Sequence, residues 1–163
     1  MTVKFSEKNL IVPLVVPTAD NYNAGGTWDS FSMANYQRCT IIIQGSASVA
    51  GTGLLTLNCG LTVGSTTAAV TFAYQYGTAD AGSATADVLK AGGTSAALTI
   101  TEADMTSGLL VCEFTTADLT VAGVKYLWVT PVLDAAGTAG IVSAVAILSE
   151  ARYAQTHPPT AIT

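Results

Sequence analysis

The sequence predicts an all-β fold, an antiparallel β-sandwich that is jelly-roll-like, with about eight strands and one or two short helical turns. Three observations predict it. Helical periodicity is nearly absent along the 163 residues. Runs rich in Val, Ile, Thr, Leu and aromatics recur, separated by breaks of Gly, Ala, Ser, Thr and Asp, the spacing of short strands joined by turns. Several runs alternate apolar and polar residues, so that one face of each strand is buried.

Taken in order, residues 10–16 form the first strand, and Pro13, which has no N–H for a ladder, places it at a sheet edge or in an extended arm. Residues 18–27 are turn-rich, with Asp20-Asn21 and Gly25-Gly26, and residues 28–31 are a short extended piece. Residues 38–44 (RCTIIIQ) are a strand. Residues 53–61 alternate, with Leu55, Leu57, Cys59 and Leu61 on one face and Thr56 and Asn58 on the other. Residues 66–76 alternate too, Val70, Phe72, Tyr74 and Tyr76 against Thr67, Ala69, Thr71 and Gln75. A long, mostly polar connection with a weak strand at residues 86–89 fills residues 77–93, and residues 96–101 are a short strand.

Thr101, followed by Glu102 and Asp104, opens one capped helical turn, because Thr accepts a bond at an N-cap and acids suit the first turn. Residues 108–115 (GLLVCEFT) are a strand with Leu110, Cys112 and Phe114 inward and Glu113 outward. A second short turn covers residues 116–121. The last two strands are residues 124–133 and 140–148. Residues 134–139 (DAAGTA) read as the hairpin loop between them, with Gly137 available for positive φ. The chain therefore divides into an N-terminal extended arm (residues 1–17), a sandwich domain (residues 18–154) and a C-terminal tail (residues 155–163).

Composition narrows the function. Charged residues are 10% and hydrophobics 50% of the chain, mean hydropathy is +0.47, and a typical soluble domain carries about 25% charged residues. No charged side chain lies between Arg38 and Asp80. Such a surface suits a chain packed against neighbours. The last two strands carry bulk on both faces: Tyr126, Trp128 and Val132 on one side, Leu127, Val129 and Leu133 on the other. A sheet with one face to water alternates, so the outer face is covered, either by the N-terminal arm or by a second subunit. The long turns of Ala, Gly, Thr and Ser are flexible loops or loops that pack on a neighbour.

Other classes find little support. Net charge is −5 and the six basic residues are scattered, so a phosphate backbone has nothing to grip and no nucleic acid is expected. No apolar run is long enough for a membrane helix, and Glu7, Pro13 and Pro17 spoil the signal-peptide pattern at the N-terminus. Cys39, Cys59 and Cys112 read as buried free thiols, with one disulfide and a leftover thiol as the alternative. There is one histidine, His157, in the tail beside Pro158-Pro159. No catalytic residue, cofactor or metal site is assigned, and the expectation is that the chain is not an enzyme. Asp80, Asp87, Asp118 and Asp134 fall in turns, where Asp bonds its own backbone.

The closing segment YLWVTPVLDAAGTAGIVSAVAILSEARYA, residues 126–154, and the early segment FSMANYQRCTIIIQGSAS, residues 31–48, resemble a widespread group of small tailed-phage structural proteins, the head auxiliary, decoration or cement proteins. The likeness spans residues 28–154, and SEARYA at residues 149–154 is its most specific part. The middle loops match in composition only, so no attachment point is carried over. The resemblance implies a jelly-roll-like sandwich on the outside of a capsid lattice, in the virion, made in the host cytoplasm. It further implies the major capsid protein as partner and a homo-oligomer, a trimer or less favourably a dimer. Interface candidates are Trp28, Tyr126, Trp128, Arg152 and Tyr153, with an Arg152–Glu150 ion pair near the end of the last strand. The alternatives are a carbohydrate-binding module or adhesin, which needs an exposed aromatic platform, and a tail-tube or head–tail joining subunit, which needs ring assembly.

Overall fold

All the long strands belong to two facing sheets in the computed structural model of the chain, which describes residues 4–46, 50–78 and 88–152. In chain order the elements are α1 (Phe5–Lys8), β1 (Leu10–Val15), α2 (Asn21–Ala24), β2 (Gly26–Thr27), β3 (Phe31–Ser32), β4 (Tyr36–Gly45), β5 (Ala50–Gly60), β6 (Ala68–Ala69) and β7 (Phe72–Thr78). There follow β8 (Lys90–Ser95), β9 (Leu98–Ile100), α3 (Glu102–Met105), β10 (Gly108–Thr115), β11 (Thr120–Val121), β12 (Val124–Lys125), β13 (Trp128–Ala139) and β14 (Val142–Ala151).

The larger sheet runs β1-β14-β4-β10-β7-β8. In the smaller sheet β2 and β3 flank β13, which pairs with β5, and β6 and β9 share the far side of β5. Counting β2 with β3 and β6 with β9 as single interrupted strands, and setting aside the inserted β7–β8 hairpin, the sheets read 1-8-3-6 and 2-7-4-5. That is the jelly roll, two Greek keys folded into a double sheet. Apart from strands 4 and 5, which share the smaller sheet, consecutive principal strands lie in opposite layers, and each contributes every second side chain to a shared core. Cys39, Ile41, Ile43, Leu110, Cys112, Phe114, Ala146 and Leu148 meet Leu55, Leu57, Cys59, Val129 and Leu133 there, and the Phe31 and Phe114 rings lie 6.5 Å apart.

Several strands follow the sequence pattern. β10 occupies residues 108–115 with Leu110, Cys112 and Phe114 buried and Glu113 exposed. Pro13 lies in β1, at the edge of the larger sheet, where its missing N–H costs no ladder bond. Thr101 caps α3, and Asp104 accepts from the Thr101 N–H at 3.2 Å and hydroxyl at 2.5 Å. All three cysteines are buried and free.

Four expectations are corrected. Leu61 is 66% exposed and not inward, because the chain has left β5 and turned, with the Ser65 N–H on the Thr62 carbonyl at 3.2 Å. The 66–76 run is two strands: β6 pairs with β5 in the smaller sheet and β7 with β10 in the larger, and Val70 between them donates to the Leu57 carbonyl at 2.7 Å. The 124–133 run likewise divides into β12, paired with β11, and β13. Residues 134–139 are strand and not a hairpin loop, because β5 extends back to Ala50 and pairs with β13 as far as Ala139. β13 and β14 also lie in different sheets, and the turn between them falls at Gly140, whose φ is 147°. The weak strand at residues 86–89 falls partly outside the described residues, and Val88 and Leu89 are not in a strand.

Candidate interaction surface

The two outer faces of the sandwich differ in chemistry, and register fixes which residues share each face. On the larger sheet, Val145 of β14 stands beside Pro13 of β1 and Ile42 of β4, and Ile42 stands beside Val111 of β10. This row crosses four strands and is wholly apolar. The next row holds Ile11, Ile147, Thr40 and Glu113, and the row on the other side holds Ser143, Gln44, Leu109 and Gly77. Ile11 is 46% exposed, and Ile42, Leu109, Val111, Val145 and Ile147 are half-buried by their strand neighbours. Gly77 leaves a flat place there: an added Cβ would meet Leu89 Cδ2 at 3.1 Å and Leu109 Cβ at 3.6 Å. Leu89, 40% exposed, thereby extends the apolar area over β7.

Charge is confined to one end of this face. Arg38 Nε lies 3.2 Å from Glu150 Oε1, with both side chains about half exposed, and the Thr40 hydroxyl donates to Glu113 Oε1 at 3.1 Å. Glu150 adopts a left-handed backbone (φ 56°) between Ser149 and Ala151, which pair with Arg38 and Tyr36. That bulge carries its carboxylate to Arg38, so the expected Arg152–Glu150 pair is corrected to Arg38–Glu150.

The smaller sheet's outer face is built of hydroxyls and amides. Thr56 faces Val132 and Asn58 faces Thr130 across the β5–β13 ladder, and Thr27 faces Val132 on the other side. Thr130 is fully buried and bonded to the Ser30 hydroxyl at 2.9 Å, and the Asn58 amide donates to Thr56 Oγ1 at 3.1 Å. Val132, Leu54 (37% exposed) and the exposed Asp134 opposite Leu54 interrupt this polar pattern.

Where β1 and β3 approach at one edge, a cleft of about 300 Å³ opens, lined by Leu10, Val12, Phe31, Tyr36, Trp128 and Leu148 with Ser30, Ser32 and Asn35 at its polar parts. Of the interface candidates, Trp128 lines this cleft. Trp28 (6% exposed) and Tyr126 (8%) are anchors of this chain's own core and offer almost no surface to another molecule. The Trp28 N–H is held by the Pro131 carbonyl at 2.9 Å. Trp128 is half-buried in the cleft wall. Arg152 donates its backbone N–H to the Asn35 carbonyl at 2.9 Å, and its Nε is buried without a hydrogen-bond partner among the described residues. Tyr153, His157 and the tail, like Asp80 and Asp87, lie outside the described residues.

Sequence reasoning found the apolar outer side of the last strand and missed that it continues over β1, β4 and β10. The signal was present in Ile41-Ile42-Ile43 and in Leu109-Leu110-Val111, where three bulky residues in succession must place one outward. Burial pushes the Cys112 thiol up to about 12 and the Cys39 thiol well above its ordinary value, so both are neutral apolar filler. Among the described residues no three His, Cys, Asp or Glu side chains gather where they could hold a metal ion, and no helix is long and apolar enough to cross a membrane. No protein-family model and no curated protein matches the chain.

Proposed function

We propose that this chain is a non-enzymatic structural protein of a virion, a decoration or cement protein that binds the outside of the capsid lattice and stabilises it by bridging capsomers. Its partners are the major capsid protein and further copies of itself. The observation that carries the reading is the apolar outer face of the larger sheet, a surface of aliphatic side chains laid across the strands of a jelly roll, which marks the chain as a subunit that is covered by a neighbour in an assembly. Buried apolar area contributes about 25 cal/mol per Å² before the costs of association. Each contact is therefore modest, and a lattice multiplies it by offering many copies at high effective concentration. The low charge of the chain fits this role, because few ions have to be stripped of water when its faces are covered. The phage-protein resemblance of residues 28–154 points the same way.

The test is reconstitution. Capsids of the virus that encodes the chain, freed of their outer proteins, are incubated with the purified chain and sedimented. Saturable uptake at a fixed ratio to the major capsid protein, with a higher temperature of shell opening, is the expected result. Absence of uptake, together with absence of the chain from purified virions by mass spectrometry, refutes the proposal.

A further inference from the structure

We infer that the outer face of the larger sheet is the docking site for a second copy of this chain, bound face to face about a two-fold axis that lies in the interface and runs across the strands. The pairing is part of the assembly role proposed above and rests on it.

Four features point to a second copy. The first is area. Five strands at about 4.8 Å spacing and three rows repeating at about 6.8 Å cover roughly 500 Å². Two such faces together reach about the 1,000 Å² that a specific interface needs. The second is contrast within the molecule. The smaller sheet's outer face mixes Thr56, Asn58 and Thr130 with Val132, Leu54 and exposed Asp134, whereas the larger sheet carries an unbroken apolar row of Pro13, Val145, Ile42 and Val111 beside Ile11 and Ile147. The apolar face is therefore particular to one sheet and is not a general consequence of composition.

The third is the layout of charge. Arg38, Glu113 and Glu150 occupy one end, and the other end carries neutral Gln44, Ser143 and Leu109. A two-fold axis across the strands lays the charged end of one copy over the neutral end of the other, so like charges do not meet. It also superposes the Val145–Ile42–Val111 row on itself, as an isologous contact requires. The fourth is the state of the edges. Pairing strand to strand is discouraged at β1 by Pro13 and a register shift beside it, and at β8 by Lys90 and another register shift. Association is left to the face, where two twisted sheets stack about 10 Å apart.

The test uses the full chain. Light scattering after size exclusion, at low and high micromolar concentration, should give the mass of two chains for the wild type. Val145→Lys should give one chain that still unfolds cooperatively, at a melting temperature that no longer rises with protein concentration. Should Val145→Lys fail to fold, Ile42→Cys decides: a short bis-maleimide should link it into a covalent dimer and leave Thr56→Cys, on the smaller sheet, unlinked. The native thiols are buried and do not compete. A single-chain mass at every concentration, a two-chain mass that survives in Val145→Lys, linkage through Thr56→Cys only, or a three-chain mass would each overturn the inference. The capsid assay separates the two proposals. A dimer that does not bind shells keeps the pairing and removes the capsid role, and a single-chain species that binds shells does the reverse.

Discussion

Asn21→Ala should loosen the seam where β14 begins. β1 pairs with β14 only as far as Val15 opposite Ala144, so residues before Ala144 have lost their partner on that side. The Asn21 side chain takes over. Its Nδ2 donates to the Val142 carbonyl at 2.6 Å and to the Val16 carbonyl at 3.0 Å, and its Oδ1 accepts from the Val142 N–H at 2.7 Å. One amide thus replaces a rung of the ladder and ties the end of β1 to the start of β14. Val142 is 1% exposed, so water does not readily replace what is lost. A net hydrogen bond contributes about 1 kcal/mol and an orphaned buried group costs more, which puts the loss at about 2–3 kcal/mol. For a domain of this size that lowers Tm by roughly 4–12 °C. Asn21→Asp should lose at least as much at neutral pH, since a carboxylate keeps the bond from the Val142 N–H but turns an acceptor toward two carbonyls. The assay is urea unfolding followed by circular dichroism, with thermal melts in parallel. A loss under about 0.5 kcal/mol with an unchanged m-value would refute the reasoning.

Two further predictions concern packing and pH. Gly45→Ala should destabilise by about 1–3 kcal/mol or more, read as a lower urea midpoint, because the new Cβ would sit 2.0 Å from the Met105 carbonyl oxygen and force β4 or α3 to move. An unchanged midpoint would mean that α3 yields freely. The thiols set an alkaline limit. Cys112 titrates at about 12 in the folded chain against an ordinary 9.0, so above about 9 the unfolded chain releases a proton that the folded chain keeps. Stability is full below that pH and falls as pH rises toward 12. Cys112→Ala should make this alkaline fall shallower without abolishing it, because burial also raises the Cys39 thiol and the Tyr76 phenol, while lowering stability at neutral pH; an equally steep fall in the variant would assign it to those other groups.

The fold was legible where one residue type did one job. Leu110, Cys112 and Phe114 read inward because every second position in β10 is apolar, and Thr101 with Asp104 read as a cap because the short side chains can reach the backbone of one turn. Residues 134–139 were not legible, because Ala and Gly report neither strand nor loop by themselves, and only the matching run Ala50-Gly51-Thr52-Gly53 of β5 gives them a partner. The 66–76 run misled for another reason. Val70 and Phe72 keep the alternation while the chain crosses from one sheet to the other, so the period of two survives a break in pairing. Trp28 and Tyr126 were read as interface anchors on size, but large rings serve the core as readily, and both are buried among this chain's own apolar residues. The Arg38–Glu150 pair depends on a bulge at Glu150 that no local pattern announces.

The scarcity of charge has two separate causes in this molecule. On the smaller sheet, Ser30 bonds Thr130 and Asn58 bonds Thr56, so hydroxyls and an amide supply most of the polar surface there, with Asp134 the charge on that face. On the larger sheet the missing charges are replaced by aliphatic side chains, and hydroxyl bonding cannot account for them. The unbroken apolar row of Pro13, Val145, Ile42 and Val111, with Arg38, Glu113 and Glu150 held to one end, is the arrangement expected if that face is buried as proposed. Blunted edges at β1 and β8 would then limit strand-to-strand aggregation while leaving the face free to pair.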